Sequence, residues 1–232
     1  MIDHTHRSYK KELLDSSDIP FKDIAKNMQE LDIINTRLGG HSITLEGFKK
    51  LATNKTKVAV CEIGCGGGDN MKALAAFCSK NKIDAEFTGI DINDDCIEFA
   101  KKKAMYGNVQ FIVSDYKLVN FENNKPDIIF SSLFCHHFTD NELIKMLQWM
   151  KESATVGFFI NDLQRHPIAY YSIKYITQLF SKSYLVKNDA PLSVLRGFKR
   201  NEWKNIFERA GITNYSIQWK WAFRYLIIAP NI

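Results

Sequence analysis

The sequence predicts an α/β protein: a mixed, largely parallel sheet with helices on both faces. Three observations lead there. From Lys57 onward, short apolar β-branched runs alternate with helical patterns, the order that builds parallel strands covered by helices. A glycine cluster, "CEIGCGGGDN" from Cys61 to Asn70, joins the first strand to the first helix of that series. Open α/β sheets bind their ligands at this place, beyond the C-terminal ends of the strands. Finally, "YSIQWKW" and "FRYLIIA" follow each other with almost no gap. Only a tight hairpin fits between them, so the last strand runs antiparallel to its neighbour.

The 232 residues suit one domain over 1–232 with a substantial core. Residues 1–56 read as an N-terminal helical extension. Within it, Ile24, Met28, Leu31, Ile34 and Leu38 recur at spacings of three and four, which predicts a helix over Asp23–Leu38 that Gly39-Gly40 stops. A second short helix covers Leu45–Leu51. The core, 57–232, opens with the strand "KVAVCEIG" and the helix "DNMKALAAFCSKN", whose Met71, Leu74, Ala75 and Cys78 share a face. Next come the strand "AEFTGIDI", the helix "DDCIEFAKKKA" and the strand "VQFIVSD". The strand "PDIIFSSL", the helix "NELIKMLQWMKES" and a fifth strand, "VGFFIND", complete the alternation. An apolar helical insertion at about 167–195 then replaces a short connection, and a helix that apolar is expected to be buried. The helix "NEWKNIFERAG" stops at Gly211, and the hairpin brings the strand count to seven.

No apolar run is long enough to cross a bilayer, and the polar N-terminus lacks the apolar stretch of a secretory signal. A cytoplasmic location is the expectation. The five cysteines are scattered; Cys61 and Cys65 lie four apart with no second pair at zinc-site spacing, so they read as reduced structural thiols. No dense Asp/Glu/His cluster stands out, and no metal is expected. The net charge is +5, yet Arg165 to Arg209 alone carries nine Lys/Arg against three Asp/Glu. Such a segment suits nucleic acid, an anionic lipid surface, an acidic carrier protein, an anionic small molecule, or a solvated face.

The glycine cluster is not the dinucleotide fingerprint: Gly64 and Gly66 fit G-x-G-x-x-G, but Asp69 stands at its third position. No Lys-Ser/Thr follows, so it is no phosphate-binding P-loop either. What it shows is E-x-G-x-G-x-G, with Glu62, Gly64, Gly66 and Gly68. "GIDI" ends the second strand with Asp91, where a carboxylate can accept from both hydroxyls of a ribose. "VSDY" ends the third with Asp115 and Tyr116, beside where an adenine would lie. Taken in order, "EIGCGGG", "GIDI", "VSDY" and "DIIFSSLFCHHF" resemble a class I S-adenosylmethionine-dependent methyltransferase from about Lys57 to the C-terminus. The resemblance implies a Rossmann-like seven-stranded sheet and S-adenosyl-L-methionine as cofactor. It implies that Gly64–Gly68 pass against the methionyl and ribose parts and that Glu62 supports the methionyl end, directly or through water. Asp91 would hold the ribose, Ile92 would pack on the adenine, Asp115 would accept from its amino group, and the backbone near Ser131 would close the methionyl side. Each has a plainer alternative: Asp91 can cap the following helix, Asp115 can begin a turn, and Tyr116 can simply pack.

The stretch "SSLFCHHFTD" lacks the N/D-P-P-Y/F of amine methyltransferases and the Pro-Cys of the cytosine type. Within the resemblance this leaves the small-molecule branch and argues against nucleic acid. His136 and His137 follow the fourth strand. A histidine there can take the proton of a phenol, which attacks far better once deprotonated; it can also pack under a lid. His137 is the leading candidate base. "NDLQRHPIAYY" leaves the fifth strand and puts Asn161, Asp162, Arg165 and His166 at the acceptor side, Arg165 and His166 being further catalytic candidates. The extension and the insertion together read as an aromatic-rich lid over a hydrophobic or aromatic acceptor, or as completion of the core. "RSYKKELLD…DIPF", "LGGH" and "NDLQRHPIAYY…APLSVLRGF" further resemble bacterial methyltransferases associated with type III polyketide and phenolic-lipid biosynthesis. The expected reaction is O-methylation of a phenolic or quinol-like small molecule, free, anionic or carrier-bound. The alternatives are C-methylation of a similar ring, a cofactor-binding module without turnover, and an RNA methyltransferase.

Overall fold

The computed structural model describes residues 2–16, 18–103, 107–122 and 124–231. The elements run α1 (Phe21–Arg37), α2 (Gly40–Leu51), β1 (Lys57–Ile63), α3 (Asp69–Lys80), β2 (Asp84–Asp91), α4 (Asp94–Lys103), β3 (Asn108–Val113), β4 (Ile128–Ser132), α5 (Asp140–Ser153), β5 (Gly157–Leu163), α6 (Pro167–Phe180), α7 (Tyr184–Arg196), α8 (Arg200–Arg209), β6 (Ser216–Lys220) and β7 (Arg224–Pro230). Ala104, placed by sequence at the end of α4, lies outside the described residues.

The seven strands form one sheet in the order β3-β2-β1-β4-β5-β7-β6. The first five are parallel, and β7 runs antiparallel to both β5 and β6. The order reverses between β1 and β4, where a ligand crevice is expected. Strands β4 and β5 are buried along nearly their whole length, as an apolar central strand with helices on both faces must be. One face carries α5 and α8, with Trp203, Phe207 and Phe158 in its core. The other carries α2 and α3, where Phe130 and Phe159 stack at 4.8 Å.

Three features depart from the sequence reading. Gly39-Gly40 does end α1, but with a break of only two residues. Gly39 adopts φ 76°, and Gly40 already opens α2, which is therefore longer than Leu45–Leu51. A Cβ on Gly40 would stand 2.8 Å from Arg224 Nη1, so the helix reaches this depth only with glycine there. The insertion is two helices, not one: the chain turns at Ser181–Ser183, and the Ser183 hydroxyl caps α7 by accepting from Val186 N. Nor is α6 buried all round, since Ile168, Tyr171, Tyr175, Leu179 and Phe180 are exposed.

The extension also begins with a non-helical strap. Residues 4–15 lie across the C-terminal ends of the strands, fastened by three buried arginines. Arg7 donates to Asp140 Oδ1 at 2.7 Å and to the carbonyls of Phe138 and Arg196. Arg165 donates to the carbonyls of His4 and Thr5, and Arg196 to that of Lys10. Asp189 of α7 accepts from Leu13 N and Leu14 N at 2.8 and 3.0 Å, which fixes the short helical turn Leu13–Asp15.

Candidate active site

A cavity of about 890 Å³ opens over the β1–β4 crevice. On one side it is built by the glycine turn. Gly64, Gly66 and Gly68 all take positive φ (66°, 49° and 73°), which folds the chain back from β1 into α3. A Cβ on Gly64 would lie 2.2 Å from the Phe134 ring. Asp91 braces this turn: its Oδ2 accepts from Gly66 N at 2.8 Å and its Oδ1 from Asn93 N at 2.9 Å. The second bond is a turn contact ahead of α4, whose cap is Asn93, its Oδ1 accepting from Cys96 N; Asp91 also lines the cavity. Each carboxylate oxygen keeps a lone pair for a further donor.

Glu62 forms the floor. It is buried, its Oε1 accepts from Asn70 Nδ2 at 3.0 Å, and its Oε2 has no partner. Burial, with Asp69 and Asp91 nearby, pushes its carboxyl well above the usual range. A buried acid with a spare oxygen suits a cationic group. Asp115 lines the far end, its Oδ1 accepting from Lys117 N, so it both begins a turn and faces the cavity. Ile92, 73% exposed, stands at the rim. Tyr116 lines the wall edge-on to Phe134, Phe138 and Trp149, and burial raises its phenol. Ser131 and Gly68 lie behind the wall; Ser132, Leu133 and Gly67 line it instead.

The other side holds a charged cluster. His136 is buried, and its Nδ1–H donates to Asp162 Oδ1 at 2.8 Å, while Glu12 Oε1 lies 3.6 Å from Nε2. Burial opposes the charge of this imidazole, but Asp162 and Glu12 outweigh it and hold the pKa up at about 9. His136 is therefore a cation at neutral pH. His137, partly open to the cavity, has Asp15 Oδ1 at 3.3 Å from Nδ1 and Glu12 Oε2 at 3.7 Å from Nε2. Glu12 also accepts from the Ser193 hydroxyl at 2.7 Å. Burial disfavours the Glu12 charge, yet His136 beside it keeps the carboxyl below its ordinary range. Arg196 Nη1 comes within 3.7 Å of Asp15.

This cluster corrects the sequence reading twice. Glu12 and Asp15, absent from the predicted site, arrive on the strap; the stretch "RSYKKELLD" had carried a family likeness but no assigned role. A dense Asp/Glu/His group does exist: Glu12, His136 and His137 bring one donor atom each within 4.8 Å of one another, close enough to share a cation, as do Asp32, His41 and Asp69. Arg165 and His166 do not line the cavity. Arg165 is buried in a salt bridge to Glu202 and fastens the strap. His166 caps α6, its Nδ1 accepting from Ile168 N at 3.2 Å, and stacks on Phe223. Asn161 and Asp162 stand behind the wall, Asn161 donating to the Gly40 carbonyl and Asp162 holding His136. With Arg165 and Arg196 buried, the segment 165–209 is not one continuous basic face.

Between these halves the wall is apolar, with Leu31 and Ile34 from α1, Leu38 just beyond it, Ile173 and Ile176 from α6, and Trp221 from the β6–β7 turn. The extension and the insertion thus cover the cavity together. All five cysteines are buried and unpaired. No described helix is long and apolar enough to cross a membrane.

Residues 60–157 match the model of a methyltransferase domain. No curated protein matches the chain in sequence. Among solved structures, the plantazolicin methyltransferase BpumL, in complex with S-adenosylhomocysteine (SAH), superposes with a TM-score of 0.67 at 18% identity, covering 93% of this chain and 92% of that one. The magnesium protoporphyrin IX methyltransferase from Synechocystis, with bound S-adenosylmethionine, gives 0.58 at 15% identity over 94% and 100%. Human N-acetylserotonin methyltransferase, also with S-adenosylmethionine, gives 0.62 at 17% over 91% and 56%. Residues 60–157 thus match a methyltransferase domain, and the chain shares the Rossmann-like fold of these solved methyltransferases.

Proposed function

We propose that the protein methylates a hydroxyl of a hydrophobic phenolic or quinol-like small molecule, with S-adenosylmethionine as donor and His137 as general base. The supporting observation is one cavity that brings together an acid-floored glycine turn, an apolar wall and the Glu12–Asp15–His137 cluster. The residues present fit the donor: a buried carboxyl with an unpartnered oxygen at Glu62, and glycines where side chains would block approach. When bound, S-adenosylmethionine supplies an electrophilic methyl group on a sulfonium. Glu62 takes its ammonium, Asp91 accepts from the ribose, Asp115 accepts from the adenine amino group, and Ile92 covers the ring. Residues 1–56 and 167–195 serve as the cover of one domain, 1–232.

His137 removes the acceptor proton. General-base help of this kind is worth roughly 10²- to 10⁴-fold in rate, and the carboxylates of Asp15 and Glu12 balance the charge the imidazole gains. His136 is unsuited to the task, because Asp162 keeps it protonated; it holds Glu12 ionised and in place. The apolar wall favours an aromatic acceptor, and products of type III polyketide and phenolic-lipid synthesis are the first to try. Free thiols fit the reducing cytoplasm. The test is a turnover screen over phenols and quinols with the product identified by mass spectrometry, run beside His137→Gln. An O-methyl product lost in the variant supports the reading. A ring-methylated product formed equally well by the variant would replace it with C-methylation.

A further inference from the structure

One face of α6 is largely uncovered by the described residues, His4 against Tyr171 being a contact at its start. Positions 168, 171, 175 and 179 follow the three- and four-residue spacing of a single helical stripe. They carry Ile168, Tyr171, Tyr175 and Leu179, and Phe180 widens the stripe at its end. Tyr175, Leu179 and Phe180 are 63%, 76% and 79% exposed, and Tyr184 continues the patch onto α7. A contiguous apolar patch of this kind marks an interaction site.

Along the insertion up to Asn188 the charges have one sign. From Leu163 to Asn188 there is no Asp or Glu; Lys174, Lys182 and Lys187 supply the free charge, because Arg165 is buried on Glu202. Lys26 of α1 reaches the Lys182 carbonyl and adds a fourth cation. The acid α1 brings near, Glu30, is engaged by Ser181 Oγ and Lys182 N. The opposite side of α6, through Ala169 and Ile173, lines the cavity. Ile176 belongs to both surfaces, being exposed and also part of the cavity wall, and Trp221, 68% exposed, stands on the same rim.

We propose that α6 docks on an anionic lipid bilayer, lying in the headgroup plane, and that the acceptor enters the cavity past Ile176 directly from the lipid. Tyrosine and tryptophan suit the boundary between headgroups and acyl chains, and lysines keep their ammonium groups at the lipid phosphates. At 14 residues, α6 is long enough to lie in the interface and too short to span it. A second copy of the chain is the poorer occupant: a twofold contact would bring two lysine sets together with no acid between them. The docking stands apart from the proposed reaction; only the entry route rests on it.

The experiment is co-sedimentation with phosphatidylcholine vesicles, with and without phosphatidylglycerol, at low and high salt. The wild type should bind the anionic vesicles and be released by salt. The double variant Leu179→Glu, Phe180→Glu should bind about tenfold less well or worse, since it exchanges apolar contact for repulsion. Its SAH affinity, read by calorimetry, should match wild type and certify the fold. Turnover of a vesicle-embedded phenolic lipid should fall with vesicle binding, while that of a water-soluble phenol should not. Equal vesicle binding by both proteins overturns the docking, as does a wild-type protein that ignores vesicles. A dimer in light scattering that the double variant dissolves would assign the face to a second copy. Absence of turnover on any phenol would sink the proposed reaction and leave the vesicle result standing.

Discussion

Asp162→Asn preserves the shape of a buried side chain and removes its charge. In the native protein this carboxylate accepts from His136 Nδ1 at 2.8 Å and from Leu163 N at 2.7 Å. It is the main reason His136 titrates near 9, where 6.5 is the ordinary value. Between those values the folded chain holds a proton that the unfolded chain has released. Stability is therefore complete in this respect below pH 6.5 and is lost as pH rises toward 9, by about 1.4 kcal/mol per unit. From pH 6.5 to 8, before the buried thiols would begin to ionise in the unfolded chain, the loss comes to about 2 kcal/mol. Asp162→Asn should start lower, by about 3 kcal/mol at pH 6.5, the scale for stripping one partner from a buried pair. Its disadvantage should then shrink toward pH 8, because its His136 no longer carries the extra proton. Urea unfolding of both proteins at intervals from pH 6.5 to 8 measures this, and the difference between them cancels the other titrating groups. A difference that stays constant with pH would refute the buried imidazolium and, with it, the account of how Glu12 is held.

Asp91→Ala should weaken SAH binding by about 1.5–3 kcal/mol, the scale for hydrogen bonds to a charged group, whereas Glu98→Ala, four residues along α4 from Asp94 and paired only with Lys102, should change it little in the same calorimetric titration. Burial holds the Glu62 carboxyl above its ordinary range, so a cationic donor that binds its carboxylate should displace protons and tighten as pH rises; calorimetry in buffers of different ionisation enthalpy reads that release, and Glu62→Gln should abolish it. His137→Gln and Glu12→Gln should each lower turnover, the first by roughly 10²- to 10⁴-fold, with SAH affinity within a few-fold of wild type. A chelator should leave turnover unchanged, because Arg196 and the His136 imidazolium already neutralise Glu12 and Asp15; loss of activity restored by a divalent ion would reassign the cluster as a metal centre.

The sheet was legible because its signals are local. An apolar β-branched run, a glycine turn and an amphipathic helix each declare themselves within a dozen residues, and the four motifs fall at the strand ends where the cavity opens. The acid–histidine cluster was not, because Glu12 meets His136 across more than 120 residues and two acids three apart look like any helix start. Arg165 and His166 were misplaced for the opposite reason. They do leave β5 at the ligand edge, but one is drawn behind the wall by Glu202 and the strap, and the other is used up as a helix cap. The apolar composition of α6 was plain, yet composition says only that a surface avoids water, not what covers it.

The strap has a consequence for the order in which the protein can become active. The pocket lined by Glu62, Asp91, Asp115 and Leu133 draws on a continuous stretch of chain that can assemble early in synthesis. Glu12 and Asp15 leave the ribosome before all of it and face His136 and His137, but Ser193 and Arg196 of α7, which complete their setting, are made much later. The glycine-turn side of the cavity can thus form long before the acid–histidine cluster is complete.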